Sequence, residues 1–240
     1  MFGHSISIER LDRLDQMALH WLKGQKDSSV MDLCCGEGGL TKNLAEVCDL
    51  VVGVDINPPD FVLPNVHIVA IDIRDLNLPK EIKFSAITWQ RAIHYLSYKE
   101  AENILKKALD WICPNGKLFI SASGINSELG NDYPGKEQPV QNRMDFLSED
   151  MQNKHDIQVK VCLYTMPEFL TLLINTGWEP TEYFVSEFGN LKCVATPKKL
   201  STFMTTITNS AQTKSCHCES RYNLITFKIE ISLIVAWFWR

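Results

Sequence analysis

The 240-residue chain has no apolar N-terminal stretch resembling a signal peptide. Its eight cysteines show neither metal-ligand nor disulfide spacing ahead of residue 200, so a reducing, cytoplasmic setting is expected and no metal site is. Excess positive charge is missing too. A formal net charge of -5 and a pI near 5.7 argue against a chain that holds nucleic acid by neutralising phosphates. A membrane span is absent as well, because the apolar end from Leu224 to Trp239 is short and is interrupted by Lys228 and Glu230. What remains is room for one good core with a lid or tail, and no feature fixes an oligomeric state.

The most informative stretch present is Val30-Met-Asp-Leu-Cys-Cys-Gly-Glu-Gly-Gly-Leu-Thr41, followed by Val52-Gly-Val-Asp55. It reads as a buried strand, a glycine-rich turn opening a helix, and a second strand ending in a carboxylate. In open α/β sheets this layout puts a nucleoside cofactor over the carboxyl ends of the strands, with the acid on the ribose hydroxyls. The G-x-G-x-x-G spacing that brings amides to a pyrophosphate is lacking. Instead Asp32 precedes Gly36 and Gly38, and the stretch resembles the D/E-x-G-x-G-x-G motif of class I S-adenosylmethionine-dependent methyltransferases. A cationic, phosphate-free cofactor tolerates nearby carboxylates that would repel a pyrophosphate.

The resemblance implies S-adenosylmethionine bound by Asp32, Cys34, Cys35, Gly36, Gly38, Asp55, Ile56, Asp72, Ile73 and Gln90. Within it Asp72, after the third strand Val66-His-Ile-Val-Ala-Ile-Asp72, would accept from the adenine amino group, with the Ile73 backbone beside it and Asp75 close enough to compete. Cys34 stands where the family's first turn glycine falls; a small thiol there is a tolerated variant, and Cys34→Gly is expected to lower stability through added backbone freedom.

The expected fold class is α/β: a Rossmann-like, mostly parallel seven-stranded sheet with a final antiparallel hairpin and helices on both faces. Residues 1–199 form the methyltransferase domain and 200–240 a C-terminal extension. Ile8, Leu11, Leu14, Ala18, Trp21 and Leu22 share one helical face, predicting a helix over 7–24. Ser97 with Glu100 and Thr165 with Glu168 read as helix starts. Prolines 58, 59, 64 and 79 erode the helices between strands two, three and four. Pro114-Asn-Gly116 is read as a turn into a fifth strand, Lys117 to Ser123, and Gly189-Asn190 joins two closing antiparallel strands. Asn57-Pro-Pro-Asp60 follows the second strand, not the fourth, and is a loop rather than an amide-recognising motif.

The acceptor is expected past the fourth strand, at Trp89-Gln-Arg-Ala-Ile-His-Tyr-Leu96. There Arg91 would hold an anionic group and His94 would either take a proton or organise the loop, with Gln90, Arg91 and His94 forming one wall. The polar segment from Gly124 to Leu163, within a cap insertion spanning 124–165, suits a lid over a small polar metabolite; Tyr133 and Arg143 are among its candidates. The sequence thus points to methyl transfer onto a small-molecule oxygen or nitrogen. A non-catalytic cofactor-binding subunit, a protein methyltransferase and a nucleotide-linked oxidoreductase are the alternatives. In the tail, Cys216-His-Cys218 has no partner pair for a structural zinc.

Overall fold

The computed structural model describes residues 11–199; the expectations for Ile8 and for the extension beyond Lys199 lie outside the described residues. In chain order the elements are α1 (Arg13–Lys23), β1 (Ser29–Leu33), α2 (Gly39–Ala45), β2 (Leu50–Asp55), β3 (Val66–Ala70), β4 (Phe84–Trp89), α3 (Tyr98–Trp111), β5 (Ile112–Ser123), α4 (Glu149–His155), α5 (Met166–Asn175), β6 (Trp178–Val185) and β7 (Asn190–Pro197). The strands form one sheet ordered β3-β2-β1-β4-β5-β7-β6. The first five are mutually parallel, and β7 is antiparallel to both β5 and β6. This is the expected architecture. No described helix is long and apolar enough to cross a membrane.

Strand alternation divides the core in two. Val30 of β1, Val51 of β2, Ala86 of β4, Phe119 of β5 and Val194 of β7 pack with Leu14, Ala18 and Leu22 of α1 and Leu40 and Leu44 of α2. Their neighbours Met31, Leu33, Ile87, Leu118 and Ile120 are equally buried and so face the other side. On that side α3 buries Ala101, Ile104, Leu105 and Ala108, and the Trp178 indole N–H donates to the Leu105 carbonyl at 3.0 Å. The chain winds outward through β1, β2 and β3, then returns to place β4 on the opposite side of β1. That reversal opens a crevice at the carboxyl ends of β1 and β4, where α/β sheets bind ligands.

Two helix starts are as the sequence predicts: the Ser97–Glu100 and Thr165–Glu168 capping boxes are both formed. The first helix is not. It begins at Arg13 rather than residue 7, because Asp12 accepts from the Leu14 and Asp15 amides while Asp15 reaches back to the Asp12 amide, a carboxylate version of the same box. Leu11 therefore lies ahead of the cap. β5 also starts early, at Ile112. Phe84 pairs with Ile112 but Ala86 pairs with Lys117, so Pro114-Asn-Gly116 bulges within the ladder instead of preceding it.

The 124–165 segment has its own small core of Ile125, Tyr133, Leu147, Ile157, Val161 and Leu163. Its Arg and Tyr do not wait for a ligand. Arg143 is buried and donates to the carbonyls of Gln138 and Leu163 and, at 2.6 and 2.8 Å, to the Glu168 carboxylate on α5. The Tyr133 hydroxyl lies between the carbonyls of Val161, at 2.6 Å, and Arg143 and shares its one proton between them. These two side chains clasp the cap, a correction to their reading as polar ligand contacts.

Burial raises the Glu168 acid, but the Arg143 bonds and those from Thr165 together outweigh it and leave the group below its ordinary value of 4.5. A depressed carboxyl stabilises above its unfolded value and loses that contribution as pH falls through the folded one. Arg143→Met should therefore cost about 1.5–3 kcal/mol at pH 7, the range for bonds to a charged group, with the difference from wild type shrinking below about pH 4.5. Urea melts across pH check this; a pH-independent difference would contradict it.

Candidate functional site

The turn after β1 runs through the left-handed region three times, at Cys34 (φ 57), Gly36 (φ 52) and Gly38 (φ 74). These are the three positions of the glycine motif. Side chains carry a steric penalty in that region, which glycine at 36 and 38 avoids. Gly38 also has no room for a β-carbon, which would lie 2.3 Å from the Phe61 ring, a residue of the Asn57-Pro-Pro loop region. Cys34 accepts the strained conformation with a thiol in place. Burial pushes that thiol up to about 12, so it is neutral and apolar in behaviour. Cys35 is raised by burial as well, and its sulfur lies on the Gly53 side of the turn.

Asp55 ends β2 and braces the turn: its carboxylate accepts from the Gly36 amide at 2.8 Å and from the Asn57 amide at 2.9 Å, one bond on each oxygen. A carboxylate has about four acceptor sites, so both oxygens retain capacity for the vicinal hydroxyls of a ribose. Beside it the Ile56 side chain is 53% exposed, an apolar surface next to a polar anchor. One strand further, Asp72 begins a tight turn in which its backbone carbonyl accepts from Asp75. The Asp72 carboxylate is gripped by Arg74, whose bonds lower the Asp72 pKa. Asp75 is exposed, while the Ile73 side chain is buried.

Asp32 occupies a different layer. It is 2% exposed and accepts from Thr41 of α2 and Thr88 of β4, both at 2.7 Å. Burial raises its pKa to about 6 despite those two bonds. Its side chain faces the α1 and α2 layer, so it supports the turn from beneath.

Gln90 likewise departs from expectation. It continues the β4 alternation of Ala86 and Thr88, so its side chain turns toward α1, where it donates to Asp15 at 2.8 Å and lies 3.4 Å from Lys192. It is not part of a wall with Arg91 and His94. Lys192 is 1% exposed and pairs with Asp12 at 2.5 Å; burial lowers its pKa, opposed by Asp12. Burial, then the neighbouring Asp12 charge, raises Asp15. Asp12, Asp15 and Lys192 were not foreseen, although a lysine inside the apolar run Leu191–Ala195 marks the place.

Arg91 adopts a left-handed conformation (φ 55), fixed by its amide donating to the Ser121 hydroxyl at 2.8 Å. His94 sits in the short turn Ile93–Tyr95, with Nδ1 3.3 Å from the Ser123 hydroxyl and its ring 4.3 Å from that of Tyr95. It is buried, and burial lowers its pKa to about 4. Alternate residues of β5 thus set both groups. Among the described residues no three His, Cys, Asp or Glu side chains converge as metal ligands; Cys216-His-Cys218 lie outside them.

The seven-stranded order with its reversed last pair, and the left-handed turn beside an acid-ended second strand, define a class I methyltransferase fold. Residues 30–116, from β1 to the start of β5, match the methyltransferase domain family model. The chain is similar to an N-methyltransferase of Burkholderia thailandensis solved with 1,6-didemethyltoxoflavin and S-adenosylhomocysteine, with a TM-score of 0.58, 19% identity and coverage of 78% of each chain. It is similar also to an S-adenosylmethionine-dependent methyltransferase of Methanosarcina mazei, with a TM-score of 0.58, 18% identity, and coverage of 72% of this chain and 94% of that one. An uncharacterized methyltransferase of Schizosaccharomyces pombe is 24% identical over 146 residues, 51% of this chain. The match spans about half of that relative's length, 48%.

The turn makes two predictions. Cys34→Gly removes a left-handed side chain, a relief of about 1–2 kcal/mol, against about 0.5–1 kcal/mol of added unfolded-chain entropy. It should leave the fold unchanged or up to about 1 kcal/mol more stable in urea melts, reversing the sequence expectation; a clear loss would mean the thiol packs favourably. For Asp32, the folded state holds a proton between pH about 4 and 6 that the unfolded chain has released. Stability therefore falls as pH rises through that window. The stability of wild type minus Asp32→Asn should drop by up to about 3 kcal/mol between pH 4 and pH 7, and a flat difference would refute the buried-acid reading.

Proposed function

We propose that the chain binds S-adenosylmethionine at the β1 turn and transfers its methyl group to a small-molecule oxygen or nitrogen. The observation that carries this is Asp55, a carboxylate at the end of β2 that holds the turn through Gly36 and Asn57 and keeps acceptor capacity on both oxygens. In this reading Asp55 takes the ribose hydroxyls, Ile56 lies along the base, Asp72 accepts from the adenine amino group beside the Ile73 backbone, and Cys34 to Gly38 line the remainder. Asp32 and Gln90 serve the same site from below, through Thr41, Thr88 and Asp15. The residues fit the group: acceptors suit neutral hydroxyls and an amine, and among the described residues the turn is flanked by the carboxylates Asp32, Asp55 and Asp72, which would repel a pyrophosphate. This disfavours the nucleotide-linked oxidoreductase.

When bound, the cofactor supplies a methyl group already activated by positive sulfur. The protein's task is then orientation and exclusion of water rather than strong base catalysis. His94 fits that task. A buried imidazole held near 4 is neutral at pH 7 and too weakly basic to remove a proton from an ordinary alcohol, so it serves to fix the loop and to offer a neutral hydrogen-bonding edge. Arg91, partly exposed at the carboxyl end of β4, is placed to hold an anionic part of the acceptor. The Burkholderia N1-methyltransferase, solved with 1,6-didemethyltoxoflavin bound, supports the small-molecule class. The depressed basicity of the buried His94 also fits a second reading, the non-catalytic cofactor-binding subunit.

Calorimetry separates these. S-adenosylhomocysteine should bind and NAD should not, and Asp55→Ala should weaken the former tenfold or more, since a bond to a charged group is worth about 1.5–3 kcal/mol. Unchanged affinity in Asp55→Ala would remove Asp55 from the site. Binding of S-adenosylmethionine with no labelled methyl transfer to any small-molecule fraction would favour the non-catalytic subunit.

A further inference from the structure

The end of β3 carries an ion network that stability does not explain. Arg74 donates through Nε to both Asp72 oxygens, at 2.9 and 3.1 Å, and through a terminal nitrogen to Asp72 Oδ2 at 2.5 Å. Its other terminal nitrogen reaches Glu100 at 3.2 Å. Glu100 is itself fixed, accepting from the Ser97 amide at 2.8 Å and hydroxyl at 2.7 Å as the capping box of α3. A rigid line thus runs from the first turn of α3 through Glu100 and Arg74 to Asp72. The Arg74 side chain is 52% exposed, and ion pairs that open to water contribute little to folding. What a bidentate grip does supply is direction.

Counting acceptor sites shows which direction. Oδ1 of Asp72 accepts both the Arg74 amide, at 2.9 Å, and Nε, which fills it. Oδ2 accepts the terminal nitrogen and shares Nε at longer range. With about four sites on a carboxylate, one lone pair on Oδ2 is left to face a ligand. A fixed, negatively charged, acceptor-only group of this kind attracts an amino group and repels a carbonyl oxygen. A carboxylate free to rotate, or able to take up a proton, would discriminate less, because it could turn away or donate.

We propose that Arg74 is a positioning residue that locks Asp72 as a single-acceptor reader of the cofactor base, giving the site its preference for adenine over hypoxanthine. This rests on the cofactor reading above, in which the base lies at Asp72. It adds that discrimination at the exocyclic position depends on a residue that touches no part of the cofactor.

The test is calorimetric titration of the full chain with S-adenosylhomocysteine and with S-inosylhomocysteine, its hypoxanthine analogue. Wild type should bind the adenine compound about 10- to 100-fold more tightly, the range for leaving a polar group facing the wrong partner. Arg74→Met should reduce that ratio to about threefold or less, with melting unchanged, while Arg74→Lys should recover part of it. Asp72→Asn, whose amide can donate or accept, should also erase the preference. A general loosening of the site would weaken both ligands and leave the ratio intact. A wild-type ratio in Arg74→Met would overturn the positioning role, and a wild-type ratio in Asp72→Asn would mean the base is read elsewhere. Absence of S-adenosylhomocysteine binding to wild type would instead overturn the cofactor reading on which the proposal stands.

Discussion

The buried Asp32 carboxylate is the constraint around which the rest of the structure is arranged. It is a charge-bearing group with almost no access to water, tolerable only because two hydroxyls from different elements donate to it. Thr41 brings the first turn of α2 and Thr88 brings β4 to the same acid. Those two bonds fix where α2 starts relative to the sheet, and hence the path of Cys34 to Gly38 between them. They also place β4 against β1 with its end pointing at α1. The turn, the reversal of strand order and the β4 side of the crevice meet at one carboxylate.

From that hub the site extends in two layers with different chemistry. The lower layer is a mostly buried polar set, Asp12, Asp15, Gln90 and Lys192, which joins α1 to the carboxyl end of β4 and the amino end of the antiparallel β7. Its members partner one another, and its role is to hold the helix over the crevice. The upper layer is partly open: Asp55, Ile56 and Asp72 along one rim, Arg91 on the other. In the proposed reading ligand recognition falls to the upper layer, because Asp55, Asp72 and Arg91 keep unused acceptor or donor capacity while the turn and Arg74 fix the two carboxylates. In the 124–165 segment Arg143 and Tyr133 are spent on clasping that segment together.

Much of this was legible from residue order. The closing hairpin and two capping boxes follow from patterns whose partners lie close in sequence, as with Ser97 and Glu100. The glycine turn was legible as well, since only a few backbone conformations accommodate that spacing. What escaped reading depends on partners remote in sequence. Arg143 looks like a free polar group until Glu168, on a separate helix, is beside it. Gln90 looks like a site residue because it follows a strand end, and only the parity of β4 against α1 turns it inward. Asp12 was hidden because Ile8 and Leu11 extend the apolar face past the true helix start. Arg74 stands two residues from Asp72, yet its significance needed Glu100 on the following helix.

The central claim is that the β1 turn, Asp55 and Asp72 together form an adenosyl site. A crystal structure of the chain with S-adenosylhomocysteine tests it most directly. The account predicts ribose hydroxyls within hydrogen-bonding distance of both Asp55 oxygens and the adenine amino group on Asp72 Oδ2, with the Gly36 and Arg74 bonds preserved. An adenosyl group bound away from Asp55, or a base edge turned from Asp72, would contradict it.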